Sequence, residues 1–315
     1  MLINPSSFDK AAIPADIAAI NERILAFFKN APDQWSFPPQ MIRDARKKGA
    51  GVFPMEALSP GAQEILIPGP GGDVPLRVFR PEGPVKGVYL HIHGGGWVFG
   101  SADMQDERNE RLARHCGLVV VSVEYRLAPE HPYPAGPDDC EAAALWLVRE
   151  AQTLFGTDRL LIGGESAGAH LSVVTMLRLR DKHRLLPFRA ANLIAGCYDL
   201  AMTPSVRNWG KDKLILNTRD IFMFTHFFLR AGGDVRSADI SPIHADLTGL
   251  PPALFTIGTR DPLLDDSLFM TARWSAAGNR CELDIWPGAP HVFTAFPCET
   301  TEKTLNRIDA FLNAA

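Results

Sequence analysis

From Gly87 onward the chain alternates short apolar runs with longer stretches of helical spacing, and this alternation constrains the fold more than any other feature. The strand Gly87–His93 precedes a helix near Asp103–His115, and Leu118–Glu124 precedes a helix near Asp138–Phe155. Arg159–Gly163 precedes a helix that opens at Ser166. Further strands fit Ala191–Ala195, Pro252–Thr259 and Cys281–Trp286, with helices near Asp265–Ala277 and Thr300–Asn313. Parallel strands need a crossover, usually a helix, so the pattern predicts an α/β fold with a mostly parallel central sheet covered by helices on both faces. Upstream, "EILIPGPGGDVPLRVFRP" reads as a hairpin at the sheet edge.

Composition excludes several functions. Of the 315 residues 46% are hydrophobic and 22% charged, an ordinary globular balance, and the net charge of −4 is spread along the chain. It leaves no electrostatic footprint for nucleic acid or an anionic membrane. No run of about 18 apolar residues occurs and the first residues lack a leader pattern, so the expectation is a soluble, cytoplasmic protein without membrane insertion. Cysteines at 116, 140, 197, 281 and 298 show no C-x-x-C spacing and read as packing residues. His91 and His93 share a strand face, but no third ligand lies near them in sequence, so no metal site is expected.

Chemistry concentrates in "GESAG", Gly164 to Gly168, between an apolar run and a helical pattern. A serine on a tight strand-to-helix turn sits in a strained backbone with no room for a Cβ two positions to either side, the arrangement of a nucleophile elbow. A serine hydroxyl is a poor nucleophile at neutral pH and needs a base, which in turn needs an orienting group. On such a sheet the chain order is Ser, acid, His. Asp261 is the first carboxylate after the strand Pro252–Thr259, and His291 is the only histidine beyond it. Asp265 and Asp266 have a competing use as cap and dipole partners of the following helix. "HGGG", His93 to Gly96, follows a strand and can turn backbone N–H groups toward a developing oxyanion; the donors expected are Gly94 and Gly95, with Ala167 as the third.

With these motifs in place, the chain resembles the hormone-sensitive-lipase-like carboxylesterases of the α/β-hydrolase superfamily. The resemblance rests on "HGGGW" (93–97), "YRLAPEHPYPA" (125–135), "GESAG" (164–168), "DPLLDD" (261–266) and "HVF" (291–293), in the family order. It implies Ser166 as nucleophile, His291 as base and Asp261 as its orienter. Glu165, Ala169, Asp266 and Val292 stand where the family often has Asp, Gly, Glu and Gly.

Residues 1–50 and 199–240 lie outside the alternating series and are expected to form a helical cap over a core made of 51–198 and 241–315. In the first, apolar positions at helical spacing fall within residues 8–30, and Pro38–Lys48 is a second helix. In the second, Ile221, Phe224, Phe227 and Phe228 give one broad apolar face, which either packs the helix or shortens an acyl pocket. Trp97, Phe224 and Phe228 are the candidate substrate-binding residues. The expected activity is hydrolysis of short- to medium-chain acyl esters through an acyl-enzyme, with no cofactor. An amidase or arylformamidase using the same triad is the alternative, and a non-catalytic receptor on this fold the more distant one. The expected partner is a small-molecule ester, with room for a homodimer.

Overall fold

The computed structural model describes residues 3–55 and 57–315. Their strands are β1 (Gln63–Gly69), β2 (Gly72–Phe79), β3 (Gly87–Ile92), β4 (Leu118–Val123), β5 (Leu160–Glu165), β6 (Phe188–Ile194), β7 (Ala253–Arg260) and β8 (Cys281–Pro290). They form one sheet in the order β1-β2-β4-β3-β5-β6-β7-β8. β2 runs antiparallel to β1 and β4, and the remaining pairs are parallel. The helices are α1 (Ala15–Asn30), α2 (Pro39–Lys47), α3 (Asp106–Cys116), α4 (Ala135–Phe155), α5 (Ala167–His183), α6 (Pro204–Trp209), α7 (Thr218–Phe228), α8 (Leu264–Ala276) and α9 (Glu299–Asn313).

Burial explains the pattern. β3, β4 and β5 are buried at every position, as strands covered on both faces must be, while edge strand β1 alternates, with Leu66 exposed and Ile67 buried. α3 and α4 stop at Gly117 and Gly156, both left-handed, where a glycine costs least. The boundaries differ from the sequence reading in instructive ways. The N-terminal apolar spacing begins as a short 3-10 turn over Lys10–Ala12, and the α-helix starts only after Pro14, which cannot extend a preceding helix. The segment 199–240 holds two short helices joined by irregular chain. β8 runs to Pro290, four residues past the expected end, and so delivers its last residue directly to His291.

α1 lies on the core: Asn21 Nδ2 donates to the Gly288 carbonyl at 2.8 Å, and Asp16 accepts from the Thr300 N–H at 2.8 Å. α2 is tied to the loops after β3 and β4, since Arg43 donates to the carbonyls of Val98 (2.8 Å) and Ala128 (2.7 Å). Between these helices Trp35 meets Phe99, Phe224 and Phe227 and donates its indole N–H to Asp220 at 2.7 Å. The N-terminal and inserted segments thus meet one another above the carboxyl ends of β3 and β5.

Candidate active site

Ser166 stands between β5 and α5 with φ +55° and ψ −120°, a conformation that side chains other than glycine rarely adopt. The flanking glycines are required by space. A Cβ on Gly164 would lie 2.0 Å from the Ile92 carbonyl oxygen, and one on Gly168 would lie 1.9 Å from the same atom. Close approach of β3 and α5 is therefore what lifts the hydroxyl clear of the sheet.

Ser166 Oγ is 2.9 Å from His291 Nε2, and His291 Nδ1 is 2.8 Å from Asp261 Oδ2. Because a carboxylate can only accept, the Nδ1–H donates to Asp261, which leaves Nε2 to accept the serine proton. The other oxygen of Asp261 accepts from the Leu263 N–H at 2.9 Å, which holds the carboxylate in place. All three side chains are buried, yet Ser166 and His291 face a cavity of about 800 Å³, within the size range of small-molecule sites.

The loop His93–Gly96 departs from the expected donor set by one residue. The Gly94 N–H is spent on Glu165 Oε1 at 2.6 Å, so it is not available to a ligand. Among the described residues the N–H groups of Gly95, Gly96 and Ala167 have no hydrogen-bond partner, and Gly95 and Gly96 have φ of +115° and +62°. The Gly94 N–H is thus engaged where the sequence reading expects it free, and the N–H beside Gly95 without a partner among the described residues is that of Gly96. The reason is that the chain keeps running beside the end of β5 for two residues after β3 ends, and turns only at Gly95. That offset had no signal in the motif itself.

Glu165 holds this loop from below. Burial would raise its carboxyl, but the hydrogen bond from the His91 ring, the neighbouring Arg108 and the Gly94 N–H outweigh that and bring it to about 2. Tyr125, from the second motif, donates its hydroxyl to the His93 carbonyl at 2.9 Å and stacks on the His93 ring. Burial pushes His93 down to about 4, so the neutral ring donates its Nδ1–H to the Gly94 carbonyl. His91 bonds Ser122 and Glu165, and among the described residues no group of three His, Cys, Asp or Glu is arranged to hold a metal.

Of the expected substrate-binding residues, Trp97 and Phe224 line the cavity. Phe228 does not: it stacks behind Trp97 with ring centroids 4.7 Å apart and is 2% exposed. On a helix the 224 and 228 positions are neighbours, but only the first two turns of α7, through Ile221 and Phe224, reach the opening. Asp266 also departs from the expected cap role. α8 starts one residue early, so the Asp266 side chain points back to accept from the N–H groups of Tyr198 (2.6 Å) and Asp199 (2.9 Å) and from the Thr203 hydroxyl (2.7 Å). Burial raises it to about 7.

A doubly tied nucleophile elbow on an eight-stranded, mostly parallel sheet defines a class: the chain belongs to the α/β-hydrolase family, whose fold matches residues 89–295. It is 36% identical over 240 residues to the carboxylic ester hydrolase LipN of Mycobacterium tuberculosis, a match that covers 73% of this chain and 63% of LipN. An acetyl esterase of Salmonella schwarzengrund is 31% identical over 245 residues, 76% of this chain and 75% of that protein. Among solved structures, a hormone-sensitive lipase from a metagenome library superposes with a TM-score of 0.83 at 27% identity, covering 96% of this chain and 99% of that one. These relatives support a carboxylesterase function and the hormone-sensitive-lipase-like branch. No described helix is long and apolar enough to cross a membrane.

Proposed function

We propose that the protein is a serine carboxylesterase that hydrolyses short- to medium-chain acyl esters. The observation that carries the reading is the continuous hydrogen-bonded line Ser166–His291–Asp261 on the floor of an apolar cavity. Ser166 Oγ attacks the ester carbonyl while His291 Nε2 takes its proton, and Asp261 stabilises the imidazolium that forms. The negative charge on the carbonyl oxygen is received by the N–H groups of Gly95, Gly96 and Ala167. His291 then protonates the departing alkoxide. The same base activates water to release the acid and regenerate Ser166.

Two features support the smaller acyl groups. One relative is named an acetyl esterase, and the Phe224 ring crowds the oxyanion loop so closely that a Cβ on Gly96 would lie 2.2 Å from it. Each added methylene gains about 0.8 kcal/mol only while apolar space remains to bury it, which favours chains of about two to eight carbons. Residues 1–50 and 199–240 act as the cap that bounds this space. Five unpaired cysteines suit a reducing compartment such as the cytoplasm. A fluorophosphonate probe should label Ser166 covalently, and a panel of acyl lengths on ester and amide leaving groups should show ester turnover with an optimum in that range. Failure to label, or amide turnover exceeding that of the matched esters, would refute the reading.

A further inference from the structure

The cavity over Ser166 is apolar along most of its wall, but Arg46 of α2 enters it. The guanidinium lies 4.4 Å above the Phe99 ring, and its Nη2 donates to Gln34 Oε1 at 3.0 Å. A guanidinium has five N–H donors, and the described residues take one of them. Among the described residues the opposing charge that acts on Arg46 is Asp220, which is already engaged: it accepts from Gln34 Nε2 (3.1 Å), Trp35 Nε1 (2.7 Å), Lys213 Nζ (3.0 Å) and the Asn217 N–H (3.1 Å). Among the described residues Arg46 and Lys213 thus share the one Asp220 carboxylate, and the group keeps a positive charge in excess.

The other charges of the wall do not cancel it. Among the described residues Glu165 pairs with Arg108, Asp103 keeps its charge but acts on Arg77 and Glu124 and not on Arg46, and Lys47 is exposed and also positive. Burial lowers Arg46 to about 10 while Asp220 pulls the other way, so the group stays charged at neutral pH. An unbalanced cation in an apolar wall is costly, and a planar fork is relieved best by a carboxylate, which it can bind bidentately.

The distance to the chemistry is short. Phe99 packs against Phe224 with centroids 5.7 Å apart, and Phe224 lies against Gly96, so two ring contacts separate the guanidinium from the oxyanion loop. Resting on the esterase reading, we propose that the esters this protein takes carry a carboxylate several carbons from the scissile bond, held by Arg46 with Lys213 beside it. This assigns α2 a specificity role.

The test compares matched substrates in a pH-stat at neutral pH. Monomethyl adipate against methyl hexanoate places the carboxylate on the acyl side, and 6-acetoxyhexanoate against hexyl acetate places it on the alcohol side. The readout is the ratio of kcat/KM for the anionic ester to that of its neutral partner. At least one pair should favour the anion, and Arg46→Met should lower that ratio by about tenfold or more, mainly through KM, with Arg46→Lys intermediate. The pair that responds identifies the side on which the carboxylate sits. Ratios unchanged in Arg46→Met, or parallel losses on both members of a pair with a lowered melting temperature, would overturn the proposal and leave Arg46 a purely structural tie. If the wild type turns over neither member of either pair, the esterase reading itself falls.

Discussion

The floor of the cavity and its roof are built on opposite principles. On the floor, positions are dictated by main-chain atoms: a Cβ at Gly164 or Gly168 meets a backbone oxygen, which cannot move out of the way. The roof is assembled from side chains on separate segments: Trp35, Phe99 and Phe224 pack ring against ring, and a polar knot closes around Asp220. A ring end can shift where a carbonyl cannot. The geometry around Ser166 is therefore intolerant of change, while the shape and charge above it can be retuned without disturbing the sheet.

The strongest way to break this contrast is Ser166→Ala. It removes the attacking atom but adds no bulk, so turnover should fall on the order of a millionfold with the melting temperature retained. Residual activity above a few percent in a clean preparation would mean that the floor is not where the chemistry occurs.

Next come the two roof phenylalanines. Phe228→Ala opens a void behind Trp97 and should destabilise the protein by about 3–5 kcal/mol without moving the acyl-length optimum. Phe224→Ala enlarges the cavity itself and should move the optimum toward longer chains. Equal shifts from both, measured on soluble esters, would show that the opening extends past Trp97.

Floor and roof touch at Gly96, where an added methyl collides with a ring and not with backbone. Gly96→Ala should lower kcat by about a hundredfold, more than it raises KM, because the donors act on charge that appears in the transition state. Adding Phe224→Leu should restore part of the loss. A double variant no better than the single one would place the damage in the loop's own conformation.

The smallest effect concerns the start of the inserted segment, where Asp266 holds Tyr198, Asp199 and Thr203. Burial raises its carboxyl from the ordinary range to about 7, so between about pH 4 and 7 the folded protein holds a proton that the unfolded chain releases. Its contribution to stability is thus fully present below the unfolded value and is lost as pH rises through about 7, at about 1.4 kcal/mol per pH unit. Asp266→Asn keeps an acceptor but cannot titrate. Denaturant midpoints should show the variant gaining on the wild type as pH rises through that window; parallel pH profiles would mean that its three hydrogen bonds already stabilise the ionised form.

Which parts of this were legible beforehand follows the same division. Ser166, Asp261 and His291 were readable because an elbow needs its flanking glycines locally and because chain order on this kind of sheet leaves one acid and one histidine in place. The mostly parallel sheet was readable because buried strands and crossover helices write different periodicities. Gly96 was missed in favour of Gly94, since which of three identical glycines has a free N–H depends on Glu165, 71 residues from Gly94, capturing one of them. Phe228 was misplaced because helical spacing tells which residues share a face but not how far an opening extends along it.

By itself, then, the sequence determined the sheet and pointed to the hydrogen-bonded Ser166, His291 and Asp261, since each rests on a conformational demand that a few neighbouring residues must meet. Only the tertiary structure decided which backbone donors are free, which aromatic rings bound the cavity, and that among the described residues Arg46 and Lys213 share a single carboxylate. Those properties depend on what remains unpaired after distant segments have packed and hydrogen-bonded, and the wall around Ser166 is made by segments from both ends of the chain.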